Sequence, residues 1–143
     1  MAKGKGNISV RVWHPSQKLE FLSDILLLEC FRSWVAGAPR MTPKGQPLSG
    51  IYAESYWVGH AEFPDAWGWK DKLVFLLDVL TNERDELNRL TSSGGRIEFY
   101  LQLPGRVNHG DSLEPSLLQR MGEMGIELTV EVFPHMQVED EDE

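Results

Sequence analysis

The chain has 143 residues, 41% hydrophobic and 25% charged, the proportions of a folded globular domain rather than of a disordered chain. Its single cysteine, Cys30, excludes an internal disulfide framework and any multi-cysteine zinc or iron–sulfur site. Fourteen Lys and Arg against 22 Asp and Glu give a formal net charge of −8, which disfavours direct contact with nucleic-acid phosphates.

The charge is unevenly spread. Five acids form the block Glu139 to Glu143, and the 14 cations against the remaining 17 acids leave −3 for the rest. A terminal acidic block repels itself and stays solvated. The expected organisation is therefore one domain over 7–136, a flexible N-terminus over 1–6 and an acidic tail over 137–143. No run approaches the about 18 apolar residues of a membrane span, and the N-terminus lacks the apolar core of a signal peptide, so no membrane association and a cytoplasmic address are expected.

Ile8, Val10 and Val12 alternate with Ser9, Arg11 and Trp13, which predicts a strand with one buried face. His14-Pro15-Ser16 ends it, and Ser16 is placed to cap the next helix. Leu19, Leu22, Ile25 and Leu26 recur at helical spacing, predicting an amphipathic helix to about Leu27. Glu29 to Val35 reads as a short strand. From Gly37 to Gly50, six glycines and prolines in fourteen residues predict a long loop without regular structure. Ile51 to Gly59, rich in Tyr and Trp, reads as a strand, and 60–69 as an irregular aromatic segment.

Leucines from Leu73 to Leu90 predict one long helix over about Lys70–Leu90, stopped at Gly94-Gly95. Ile97, Phe99, Leu101 and Leu103 alternate with polar residues, a strand. Pro115 opens a helix carrying Leu117, Leu118, Met121 and Met124, with Gly125 as its stop. Ile126, Leu128, Val130 and Val132 form a last alternating strand.

The order β-α-β-β-α-β, then α-β, defines an α+β domain. Clean alternation argues against an all-parallel sheet buried on both faces. The expected architecture is a ferredoxin-like split β-α-β plus an extra α-β unit, with an antiparallel or mixed sheet and helices on one face. The inward set is Ile8, Val10, Val12, Ile97, Phe99, Leu101, Ile126, Leu128, Val130 and Val132.

The stretch Trp34-Val35-Ala36-Gly37-Ala38-Pro39, then Thr42-Pro43-Lys44-Gly45, then Ser55-Tyr56-Trp57 resembles the signature of a bacterial family of small domains whose function is not defined. The similarity runs from about Ile8 to Val132; the long acidic C-terminal end departs from the family pattern. The resemblance implies a single bacterial α+β domain, and some members of the family look like immunity proteins beside toxins.

No constellation of nucleophile, base and stabiliser is present, so no enzyme activity is expected. Cys30 sits beside Phe31 in an apolar run, where cysteine acts as a small hydrophobe. His14, His60, His109 and His135 show no metal-ligand spacing, so no metal and no cofactor is expected. The 37–50 segment lacks the spacing of a phosphate-binding loop, yet it places Arg40, Thr42 and Lys44 near Arg32 in an acidic chain. Those four residues, with Trp67 and Trp69, form the candidate partner- or anion-binding set. Trp34, Pro39 and Trp57 are the expected anchors of the loop, with Trp34 and Trp57 in the core. Aromatics on the polar face of the sheet (Trp13 and Tyr100 beside Arg11, Glu98, Glu127, Thr129 and Glu131) suit covering by a partner protein or by the acidic tail better than base stacking, because their neighbours are acidic.

The leading expectation is a non-enzymatic protein-binding domain, of the kind an immunity or inhibitor protein uses against a basic toxin or nuclease, with acidic charge steering the encounter. The alternatives are a small-molecule or anion-binding domain using the 37–50 loop, and an uncharacterised enzyme.

Overall fold

The computed structural model describes residues 6–105 and 110–134. The acidic block, His109 and His135 lie outside the described residues. The elements in chain order are β1 (Asn7–His14), α1 (Phe21–Leu26), β2 (Glu29–Trp34), β3 (Pro39–Met41), β4 (Pro47–Ile51), β5 (Ser55–His60), α2 (Trp69–Asn82), α3 (Arg84–Ser92), β6 (Arg96–Pro104), α4 (Pro115–Glu123) and β7 (Ile126–Phe133). This is a mixed α+β fold. Five strands form one mixed sheet in the order β2-β5-β1-β6-β7; every neighbouring pair is antiparallel except β6 and β7, which are parallel.

One set of alternating side chains makes the core. Val10 and Val12 of β1, Trp57 of β5, and Ile97 and Phe99 of β6 are fully buried against Leu22 of α1, Leu73, Leu76, Leu77 and Leu80 of α2, and Leu87 and Leu90 of α3. Trp57 donates from Nε1 to Ser23 Oγ at 3.0 Å, which satisfies its buried indole N–H. Gly59 belongs to the same layer: a Cβ there would lie 2.2 Å from the Trp57 ring, so only glycine lets that indole lie along the strand.

Several local expectations are corrected. α1 begins at Phe21, and Ser16 caps nothing. The buried ring of His14 instead organises the turn that precedes the helix, accepting the backbone N–H groups of Ser16 and Gln17 on Nδ1. Its Nε2 lies 2.8 Å from Ser93 Oγ, whose own proton is directed to the carbonyls of Arg89 and Leu90, so His14 joins the end of β1 to the end of α3. The long helix is two helices, because the backbone leaves helical geometry at Glu83 (φ −115°, ψ 29°). Gly94, at φ +106°, provides the left-handed stop after α3.

The 37–50 segment is not irregular: β3 and β4 pair as an antiparallel hairpin, with Pro39 and Pro47 at strand starts where no ladder donor is needed. The strand expected over 51–59 is correspondingly split into β4 and β5. Cys30 is exposed rather than buried, since it lies on edge strand β2. Gly6 is held, its carbonyl accepting from Lys72 Nζ at 2.9 Å. The last two members of the inward set lie on the helix side, as their pairing with Leu101 and Leu103 requires, but are not buried: Val130 and Val132 are 50% and 55% exposed. The nine-residue α4 is about 14 Å long, whereas the eight residues of β7 extend over about 26 Å, so the helix covers only the first half of the strand.

Candidate functional site

The other face of the sheet carries no helix among the described residues, and pairing brings its side chains into rows. Trp34 on β2 faces Tyr56 on β5; Tyr56 faces Trp13 on β1; Trp13 faces Arg96 on β6. The rings touch along this row: Trp34 and Tyr56 centroids are 4.6 Å apart, and Tyr56 and Trp13 5.4 Å. Tyr52 extends it, stacked on Trp34 at 4.5 Å with 7° between the planes. A second row runs Arg32, Val58, Arg11, Glu98.

The arginines lie over the rings. The Arg11 guanidinium sits 4.0 Å from the Tyr100 centroid, Arg96 4.3 Å from Trp13, and Arg32 4.9 Å from Trp34. Stacking of this kind fixes a planar cation without removing its outward N–H groups.

A constant offset organises the β6–β7 side of the face. Arg96 pairs with Glu127, Glu98 accepts from Thr129, and the Tyr100 hydroxyl bonds Glu131. Each β6 side chain leans to the β7 residue two positions past its backbone partner, as the parallel register allows. Glu98 is the buried member, 4% exposed, and Arg11 Nε donates to it. Burial works against the Arg11 charge, but the hydrogen bond and charge of Glu98 outweigh it and hold the guanidinium above its usual range. Burial raises the Tyr56 phenol, with Arg11 pulling the other way; burial and the bond to Glu131 raise Tyr100.

At one end of the face is a groove of about 480 Å³. Its walls include Phe31, Phe63 and Tyr100, its floor includes Val58, and Ser9, Arg11, His60 and Lys72 supply polar atoms. None of the described residues lining it is a carboxylate. Phe31 is 78% exposed and meets His60 edge-on at 5.9 Å.

The sequence-derived candidates are dispersed. Arg32 and Trp34 belong to the aromatic face. Trp34 is half-buried there rather than in the core, and it does tie down the chain before β5, donating to the Glu54 carbonyl at 3.0 Å. Trp57 is in the core on the opposite side of the sheet. Pro39 is exposed on β3, paired with Ile51. Arg40 donates to the Ser49 carbonyl at 3.0 Å, and Thr42 Oγ1 accepts from the Gln46 N–H, so both serve the hairpin itself. Arg32 reaches the same hairpin through the Met41 carbonyl. Lys44 is exposed at its turn. Trp67 is half-buried against Phe63 and Phe75, and Trp69 packs against the core at the start of α2. Tyr52, Tyr56 and Arg96 escape sequence reasoning; period two in β5 and β6 marks the outward direction of Tyr56 and Arg96, but nothing local marks them as neighbours.

No group of His, Cys, Asp and Glu among the described residues is arranged to hold a metal ion. No described helix is long and apolar enough to cross a membrane. No family model matches the chain, and neither a curated protein nor a solved structure does.

Proposed function

We propose that this chain is a non-enzymatic protein-binding domain that engages its partner through the open face of the sheet, in the manner of an immunity or inhibitor protein acting on a basic toxin or nuclease. The observation that carries this reading is the row Trp34, Tyr56, Trp13 and Arg96 across four adjacent strands. Tryptophan, tyrosine and arginine are the residues that dominate binding hot spots, because each combines large apolar area with a directed polar group. The net charge of −8 fits a basic partner and argues against nucleic acid. In fold terms we read β1-α1-β2-β5-α2/α3-β6 as a ferredoxin-like split β-α-β with β3–β4 inserted and α4-β7 added; the order β2-β5-β1-β6 supports this. Kinship with the small bacterial family rests on the tryptophan, Thr-Pro-Lys-Gly and Ser-x-Trp motifs alone.

The test is calorimetric titration of the purified chain against products of genes adjacent to its own, at low and high salt. Trp13→Ala and Trp34→Ala should each weaken binding by at least about tenfold while leaving the circular dichroism unchanged. Unchanged affinity in both variants removes the open face as the interface. Binding indifferent to salt removes charge steering.

A second reading, a small-molecule or anion-binding domain, is favoured by the groove, whose described lining is largely aromatic and apolar and includes Arg11, paired with Glu98, and Lys72, bound to the Gly6 carbonyl, but no carboxylate. It places the ligand on the sheet face rather than on the 37–50 hairpin. Small aromatic carboxylates should then raise the melting temperature, and Phe31→Ala should abolish the shift.

A further inference from the structure

We propose that two copies of this chain associate through the outer edges of β7, antiparallel about a two-fold axis that sets Val130 opposite its own copy. The two edges of the five-stranded sheet differ. Edge strand β2 carries a register irregularity between Cys30 and Arg32, the kind of device that blunts an edge. Edge strand β7 has none: it pairs with β6 in unbroken register over eight residues. It contains no Pro, Gly or Lys. Its two acids are drawn towards β6, Glu127 by Arg96 and Glu131 by Tyr100. Among the described residues, no strand lies beyond it. Val130 and Val132 are half-exposed on the helix side, and Leu118 of α4 is 50% exposed. A long, apolar, unprotected edge is a template for one more strand.

The strand's own sequence points to a second copy as that occupant. With the two-fold axis normal to the sheet, the helix side of one copy continues as the helix side of the other. Facing residues then share the same side, and one residue meets itself. Centring on Thr129 sets Glu127 against Glu131, and centring on Glu131 sets that acid against itself; like charges directly opposite are destabilising. Centring on Leu128 leaves Val132 beyond the end of the partner strand. Centring on Val130 pairs 127–133 in full: Val130 with Val130, Leu128 with Val132, Thr129 with Glu131 and Glu127 with Phe133. The six helix-side positions Leu128, Val130 and Val132 from both copies then close into one apolar cluster. The surface that α4 is too short to cover is covered by the partner strand. Every contact except the Val130 pair on the axis is made twice, as in a closed isologous dimer.

The register makes cross-linking diagnostic. Residues directly opposite in an antiparallel pair have Cα atoms about 4.5–5.5 Å apart, within the span of a disulfide. In a Cys30→Ser background, Val130→Cys should give a disulfide-linked dimer under mild oxidation. Glu127→Cys should not, because the two copies of that position lie about 20 Å apart. Light scattering of the full chain should report a dimer that Val130→Lys converts to a monomer with unchanged circular dichroism. If that variant loses its fold, the Val130→Cys and Glu127→Cys pair still decides. A full chain that stays monomeric at every concentration, or equal cross-linking at positions 127 and 130, overturns the proposal. These readouts need no partner protein, so they succeed or fail independently of the binding role assigned to the open face.

Discussion

Arg11 and Glu98 face each other across β1 and β6, and Arg11 Nε donates to the carboxylate while Thr129 Oγ1 donates to its other oxygen. The Glu98 side chain is 5% exposed and that of Arg11 27%. A carboxylate so placed tolerates burial only while its donors remain.

Removing Arg11 should therefore cost more than the pair is worth. Arg11→Met is expected to lower stability by about 2–3 kcal/mol, below the full penalty for a wholly buried pair because water reaches the arginine side. Glu98→Gln in the same chain should recover a large part of the loss. Urea unfolding of both single variants and the double variant near neutral pH measures the coupling, and strict additivity would contradict it.

The phenols of Tyr56 and Tyr100 titrate above their ordinary range, each raised first by burial. A raised folded-state value means that the folded protein holds the proton more tightly than the unfolded chain does. Stability is then fully present below the ordinary phenol value of about 10 and falls as pH rises through the folded-state values. Alkaline unfolding should show this limb, and Tyr56→Phe should flatten it. Absorbance titration of tyrosinate should lose its late fraction in Tyr56→Phe and Tyr100→Phe.

Gly59→Ala should destabilise by about 2–3 kcal/mol, because its methyl meets the buried Trp57 ring and the core has no room to shift it. In a Trp57→Phe background the smaller ring leaves space, and the same substitution should cost less than about 1 kcal/mol. Equal cost in both backgrounds would place the penalty in the backbone instead.

Arg40 and Lys44 should matter little to partner binding. Arg40 is engaged with its own hairpin, and both are exposed. Arg40→Ala is expected to change stability by no more than about 0.5 kcal/mol. The Arg40→Ala, Lys44→Ala double variant should change affinity for a partner by less than about twofold, whereas Arg32→Ala should weaken it by about tenfold. A large loss in the double variant would return the site to the hairpin.

Side-chain alternation is a local property, so β1, β6 and the start of β7 are legible in the sequence, as are the leucine faces of α2 and α3 and the glycine stop at Gly94. The polar partners of the inward residues follow at once, which is why alternation alone marks Arg11, Trp13, Glu98 and Tyr100 as an outward face. The hairpin is not legible, because the prolines and glycines that argue against regular structure within a strand are compatible with it at strand ends and turns. Which outward residues stand side by side is non-local. Trp34, Tyr56, Trp13 and Arg96 come from four strands and meet only because β5 pairs with both β2 and β1 while β6 takes the other side of β1. Coverage is equally a tertiary matter: alternation assigns Val130 and Val132 to the helix side, but the length of α4 decides that nothing in the same chain, among the described residues, buries them.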